Sequence, residues 1–247
     1  MAGHSQFKNI MYRKGAQDKK RAKMFAKITR EIMVAVKSGL PEANSNPRLR
    51  AALASARTAN MPKDNVERAI KKALGGEDDS NFTEVRYEGY GPSGIAVIVE
   101  ALTDNRNRTA SEIRAAFNKH GGALGETGSV AFSFEHVGYL LFSKEFNFDK
   151  LFEAALEAGA ENVEQTDEGI EIICANTDFA PVRDFLMNAI GEPHEAKLIW
   201  RSTNTTSVDL DTAKTLMKLI DVLDDLDDVQ NVYTNVEFTD EIAGQLE

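Results

Sequence analysis

The chain has 247 residues, 42% hydrophobic and 28% charged, which suits a globular protein of one large or two to three small domains. One cysteine, Cys174, excludes an intrachain disulfide framework, and no apolar run reaches the eighteen or so residues that span a membrane. The formal charge of −10 hides an asymmetry: residues 1–76 hold 17 Lys+Arg against 5 Asp+Glu, and residues 77–247 hold 12 against 34.

A basic end on an acidic body is the footprint of a polyanion-binding module, with the body repelled from the same polyanion. The start Gly3-His4-Ser5-Gln6 lacks the apolar core of a secretory signal, so a cytoplasmic location is expected, with a mitochondrial presequence as the alternative. In the first segment Phe7 and Tyr12 alternate with Lys8, Arg13 and Lys14. Such an arm orders on RNA through stacking and phosphate contacts, or else docks Phe7 and Ile10 on the helices that follow.

The first helix is expected from about Gln17 to Ser38, ending at Gly39-Leu40-Pro41. At 100° per residue Lys19, Lys23, Lys27, Arg30 and Lys37 share one face, while Phe25, Ile28, Ile32 and Val36 share the other. The function rests on that row facing a phosphate-bearing chain; cations scattered around the helix, or held by the protein's own carboxylates, contradict it. Asn46-Pro47 opens a second helix with Leu49, Ala52, Leu53 and Ala56 inward and Arg48, Arg50 and Arg57 adding charge. Pro62 opens a third, with Val66, Ala69, Ile70, Ala73 and Leu74 inward, Lys71 and Lys72 in its last turn, and Gly75-Gly76 as its stop.

Several motifs bear a family resemblance. They are the start Met-Ala-Gly-His-Ser, Asn9-Ile10-Met11-Tyr12-Arg13-Lys14, the run from Met61-Pro62-Lys63-Asp64 to Ile70, Asp104-Asn105-Arg106-Asn107-Arg108-Thr109, Gly121-Gly122 through Gly128-Ser129-Val130, and Asp227-Asp228-Val229-Gln230-Asn231-Val232-Tyr233. Together they resemble the YebC/PmpR family along essentially the whole chain. Phe7 stands where that family commonly has Trp, and Tyr12 where it often has His, so no imidazole is available at position 12. The resemblance implies a three-domain, non-enzymatic transcriptional regulator that binds DNA. It equally implies kinship with mitochondrial translational activators and with bacterial factors acting on ribosomes at proline-rich stalls.

Beyond residue 77 strand and helix periods alternate. Strands are expected at Ile95–Leu102, Val130–Phe134, Tyr139–Phe142, Ile170–Ala175 and Ala196–Trp200, then near Thr205–Val208 and Val232–Phe238, with a weak one around Val163. Helices are expected from the capping box Thr109-Ala110-Ser111-Glu112 to about Lys119, then at Phe148–Ala158, Ala180–Ile190 and Leu210–Leu226. The fold class is α+β: an N-terminal three-helix bundle (1–76) followed by two α/β ferredoxin-like domains, a discontinuous one (77–136 plus 201–247) and one inserted in it (137–200).

Other motifs carry less. Gly89-Tyr90-Gly91-Pro92-Ser93-Gly94 spells a dinucleotide pattern, but a strand follows where a helix N-terminus is needed, so a turn is expected. Gly121–Gly128 lacks the lysine of a P-loop and reads as a loop between helix and strand. His4, His120, His136 and His194 have no metal-ligand spacing. Asp221, Asp224, Asp225, Asp227 and Asp228 crowd a helix C-terminus, which the helix dipole disfavours. They read as a solvated face, with a basic partner or a loose cation as alternatives.

The expectation is therefore a regulator that binds promoter DNA, or ribosomal or transfer RNA and the ribosome, with no membrane contact, catalytic residue, metal or cofactor. A protein-interaction scaffold is a further alternative. The expected nucleic-acid-binding residues are Lys8, Arg13, Lys14, Lys19, Lys20, Lys23, Lys27, Arg30, Arg48, Arg50, Arg57, Arg106 and Arg108.

Overall fold

The computed structural model describes residues 17–75 and 82–246, leaving aside the side chains of residues 17–20. The described residues divide into two compact units, one of residues 135–201 and the other of residues 17–75 and 82–134 with 202–246. Among the described residues no helix is long and apolar enough to cross a membrane.

The larger unit begins with helices α1 (Gln17–Ser38), α2 (Pro47–Thr58) and α3 (Lys63–Leu74). Ile28, Ile32, Met33 and Val36 of α1 meet Leu49, Ala52 and Ala56 of α2 and Ala69 of α3 in one apolar core. One buried side chain joins the first two helices. Asn46 Oδ1 accepts the amide of Leu49 at 3.0 Å, and its Nδ2 donates to Ala35 O at 2.7 Å and Leu40 O at 2.8 Å. The N-cap of α2 thereby also satisfies carbonyls at the end of α1. The link to α3 turns on Asn60, whose φ of 53° asparagine tolerates better than most side chains.

Strands β1 (Thr83–Tyr90) and β2 (Ala96–Thr103) pair antiparallel across a 3₁₀ turn at Pro92–Gly94. The glycines of 89–94 thus serve a hairpin. Helix α4 (Arg106–Lys119) and the short β3 (Ala123–Leu124) follow. The helix starts one turn before the expected capping box. Asn105 is the N-cap and accepts the amide of Arg108 at 3.1 Å, while the hydroxyl of Thr109 turns inward.

The inserted unit contains β4 (Phe134–Phe142), α5 (Phe148–Ala158), β5 (Asn162–Gln165), β6 (Ile170–Ala175), α6 (Phe179–Ala189) and β7 (Glu195–Ser202). Its sheet order is β5-β6-β4-β7, the ferredoxin-like arrangement of a βαββαβ chain. Leu140, Phe142, Ile170, Ile172 and Cys174 of the sheet pack with Leu151, Ala155, Val182 and Leu186 of the helices. The two strands expected at Val130–Phe134 and Tyr139–Phe142 are corrected to a 3₁₀ turn at Ala131–Ser133 and one long β4. Gly138 does not break that strand; a Cβ there would lie 2.6 Å from Cys174 Sγ and 2.8 Å from the Phe179 ring. The entry and exit strands are neighbours, and their outer ends are tied by Glu135–Arg201 at 2.8 Å and by stacking of His136 on Trp200.

The chain then returns to the larger unit through β8 (Thr206–Ser207), α7 (Leu210–Asp224), β9 (Val229–Thr234), β10 (Val236–Glu237) and α8 (Asp240–Leu246). The main sheet is β3-β1-β2-β9, and β8 pairs with β10. Val97 and Val99 of β2 pack with Ile113 and Phe117 of α4 and Leu216 and Ile220 of α7. This second α/β layer pair has its own connectivity, ββαβ before the insertion and αβ after it. The single strand expected over Val232–Phe238 is split at Asn235, whose side chain accepts the amide of Ala96 at 2.8 Å.

Candidate nucleic-acid interface

The 3.6-residue repeat places Lys23, Lys27 and Arg30 at successive turns along one face of α1, opposite the buried Ile28, Ile32 and Val36. That face meets the acidic end of α7. Lys23 Nζ lies 2.5 Å from Asp225 Oδ1 and donates to Asp225 O at 3.1 Å. Lys27 Nζ is 2.6 Å from Asp224 Oδ1. Arg30 donates to the carbonyl of Asp227 and lies 3.6 Å from Asp228 Oδ1, with its guanidinium over the ring of Phe82.

Two sequence readings are corrected by this contact. The middle of the row is not free for a phosphate chain: Lys27 and Arg30 keep only 18% and 17% of their side-chain exposure. Lys23, Lys27 and Arg30 are held by the chain's own carboxylates, the condition set from the sequence as contradicting an open binding face, while Lys37 stays exposed. Asp228 is buried rather than solvated, and Asp224 and Asp225, though 51% and 69% exposed, also pair with α1, so the basic partner weighed for them is the chain's own first helix. The physical reason is the misplaced charge at the end of α7. Four carboxylates and the last helical carbonyls concentrate negative potential there, and cations from α1 neutralise it and accept the role of C-terminal caps.

The remaining candidates divide by partner. Arg48 is taken up by Glu31 at 2.6 Å and Glu84 at 2.5 Å. Arg108 is bound to Asp104 at 2.9 Å and Asp228 at 2.6 Å, so it too serves the fold in this structure. Arg50 donates to the carbonyls of Ala43 and Asn44, both at 3.2 Å. Arg106 donates to Thr83 Oγ1 at 3.3 Å and is exposed, as is Arg57 on α2. Lys19 and Lys20 lie on α1 with side chains outside the described residues, as do Lys8, Arg13 and Lys14 altogether.

Two family profiles match the chain: the TACO1/YebC protein N-terminal domain over residues 5–76, and the TACO1/YebC second and third domain over residues 82–236. The chain belongs to the TACO1/YebC family. The second profile is designated a transcriptional regulator, and that designation is the functional statement the family carries. A crystal structure of a conserved hypothetical protein from Aquifex aeolicus is similar at 44% sequence identity and a TM-score of 0.81, covering 90% of this chain and 92% of that one.

In this TACO1/YebC chain the motif around Arg106 and the motif around Asp228 meet in one buried network. The Asp228 carboxylate, 4% exposed, accepts from Thr103 Oγ1 at 3.0 Å, Thr109 Oγ1 at 2.7 Å and Arg108 Nη2 at 2.6 Å. Burial alone would raise its pKa, but the hydrogen bonds from Arg108, Thr109 and Thr103 and the charge of Arg108 outweigh it and hold the carboxyl below its usual range. The guanidinium of Arg108 is correspondingly raised by Asp228 and Asp104.

The glycine-rich loop is anchored as well. The buried Glu88 accepts the amides of Val130 and Ala131, both at 3.0 Å, and Tyr90 donates to Ser129 O at 2.7 Å. A Cβ on Gly122 would lie 2.5 Å from Tyr90 O, so only glycine permits the loop's close return to β1. Directly after it Phe132 stands 71% exposed. Sequence reasoning overlooked Glu88, Tyr90 and Phe132. Alternation along 83–90 gave no signal for Glu88, since it sets that carboxylate on the polar face with Glu84 and Arg86, opposite Val85 and Tyr87.

Proposed function

We propose that this chain is a non-enzymatic, cytoplasmic regulator of gene expression that binds duplex DNA through the cationic face of α1. In this reading residues 1–76 are the binding domain, and the discontinuous domain and the inserted 137–200 domain present it. The reading is carried by the basic excess of residues 1–76. The line of three cations at one-turn spacing is held by the chain's own oxygens, the condition that counts against it as a free face; it serves phosphates only once those oxygens let go. A face that grips a line of protein oxygens has the donor spacing to grip a line of phosphates. The family's designation as a transcriptional regulator supports the same partner. Arg57 and Arg106, both exposed, and the basic segment ahead of α1 widen the footprint.

The test is fluorescence anisotropy on a 30-base-pair duplex with Lys23→Gln/Lys27→Gln. Glutamine is chosen because glutamate would set like charges against Asp224 and Asp225. The expected result is a loss of affinity of about tenfold or more with an unchanged circular dichroism spectrum. Unchanged affinity of the folded variant contradicts the proposed face. Binding to ribosomal or transfer RNA with none to the duplex would move the protein to translation.

A further inference from the structure

We infer that the acidic turn at the end of α7 is a built-in competitor of nucleic acid, holding the α1 face in a closed, self-occupied state. The inference rests on the function proposed above and concerns how that same face is regulated. Asp224, Asp225, Asp227 and Asp228 offer Lys23, Lys27 and Arg30 three carboxylates and two carbonyl oxygens, which are the acceptor types a phosphate backbone also supplies. One cation cannot serve both at short range. Duplex DNA therefore binds only by displacing the turn, and its apparent affinity is lowered by the fraction of molecules that remain closed.

The partners are unequally committed, and this sets the way the face opens. Asp228 is buried and bound by Arg108, Thr103 and Thr109 on its own side, so it stays with the sheet. Asp224 and Asp225 are 51% and 69% exposed at their side chains and, among the described residues, their carboxylates bind α1. Release of those two frees Lys27 and Lys23 while the Asp228 network survives.

Salt then acts on both states. It weakens DNA binding by counterion competition, but it also weakens the internal pairs that oppose binding. The wild type accordingly shows a shallower salt dependence than a form without the competing carboxylates.

The experiment compares the full-length wild type with Asp224→Asn/Asp225→Asn on one 30-base-pair duplex, from 50 to 300 mM salt. A control, Asp149→Asn/Asp211→Asn, changes the net charge equally at two exposed carboxylates that pair with none of Lys23, Lys27 and Arg30. The competitor predicts about fivefold tighter binding by the Asp224/Asp225 variant at low salt, a steeper salt slope, and little gain in the control. A fourth protein, Asp224→Asn/Asp225→Asn with Lys27→Gln, loses the gain. An equal gain in the control reduces the effect to net charge and overturns the inference. So does no gain while Lys23→Gln/Lys27→Gln still loses binding, an outcome that leaves the proposed function standing. Absence of duplex binding by all the proteins instead removes the function and the competitor together.

Discussion

Removal of the Asp228 carboxylate tests the joint between the two motifs most sharply. In Asp228→Ala the hydroxyls of Thr103 and Thr109, both fully buried, lose their shared acceptor. An orphaned buried polar group costs about 1–3 kcal/mol. Thr109 retains Asn105 O at 3.1 Å, so its share falls near the lower end. Arg108 is 44% exposed and rehydrates, which keeps its loss well under the cost of breaking a fully buried pair. The sum is about 2–4 kcal/mol of destabilisation, measured by urea denaturation followed with circular dichroism. Asp228→Asn keeps one acceptor oxygen and costs about half as much. A cost under about 0.5 kcal/mol for Asp228→Ala, the range of an ordinary surface change, would refute the reasoning.

Acid stability follows from the same carboxyl. Its folded pKa lies below the unfolded value, so its contribution is complete above about pH 4 and disappears as pH falls through the folded value. Wild type therefore loses more stability than Asp228→Asn on titration below pH 4, as read by melting temperature. Asn46→Ala removes three hydrogen bonds at the α1–α2 joint and lowers stability by about 2 kcal/mol in the same urea assay. Gly122→Ala drives a methyl into Tyr90 O and lowers the melting temperature by several degrees, whereas Gly128→Ala meets no atom within 4 Å and bears only the strain of its positive φ. Cys174 is buried, and burial together with Glu161 and Asp178 pushes its thiol up to about 11. A thiol reagent at pH 8 is expected to label it only at the rate of unfolding.

Much of this fold was legible because its local signals agree with its long-range ones. Asn46-Pro47 and the stripe Leu49, Ala52, Ala56 marked α2 because capping and burial both depend on near neighbours. The βαββαβ order of residues 134–202 was visible from alternating periods, since each element buries one face in one core. The errors fall where a residue's local chemistry was outbid from afar. Thr109 looks like an N-cap, yet Asp228, over a hundred positions away, draws its hydroxyl into the core. Lys23, Lys27 and Arg30 share one face of α1, because helical period fixes it. Its occupancy by Asp224 and Asp225 is a pairing across some two hundred residues, which no period encodes. The crowded carboxylates at an unfavourable helix end were the only hint that a cation had to come from elsewhere.

The most direct test of the nucleic-acid face maps it on the wild-type protein. Photocrosslinking to a duplex carrying photoreactive phosphates, with mass spectrometry of the peptides, should place adducts on residues 21–30 of α1 at low salt. Adducts confined to other surfaces, with residues 21–30 unlabelled, would contradict the account.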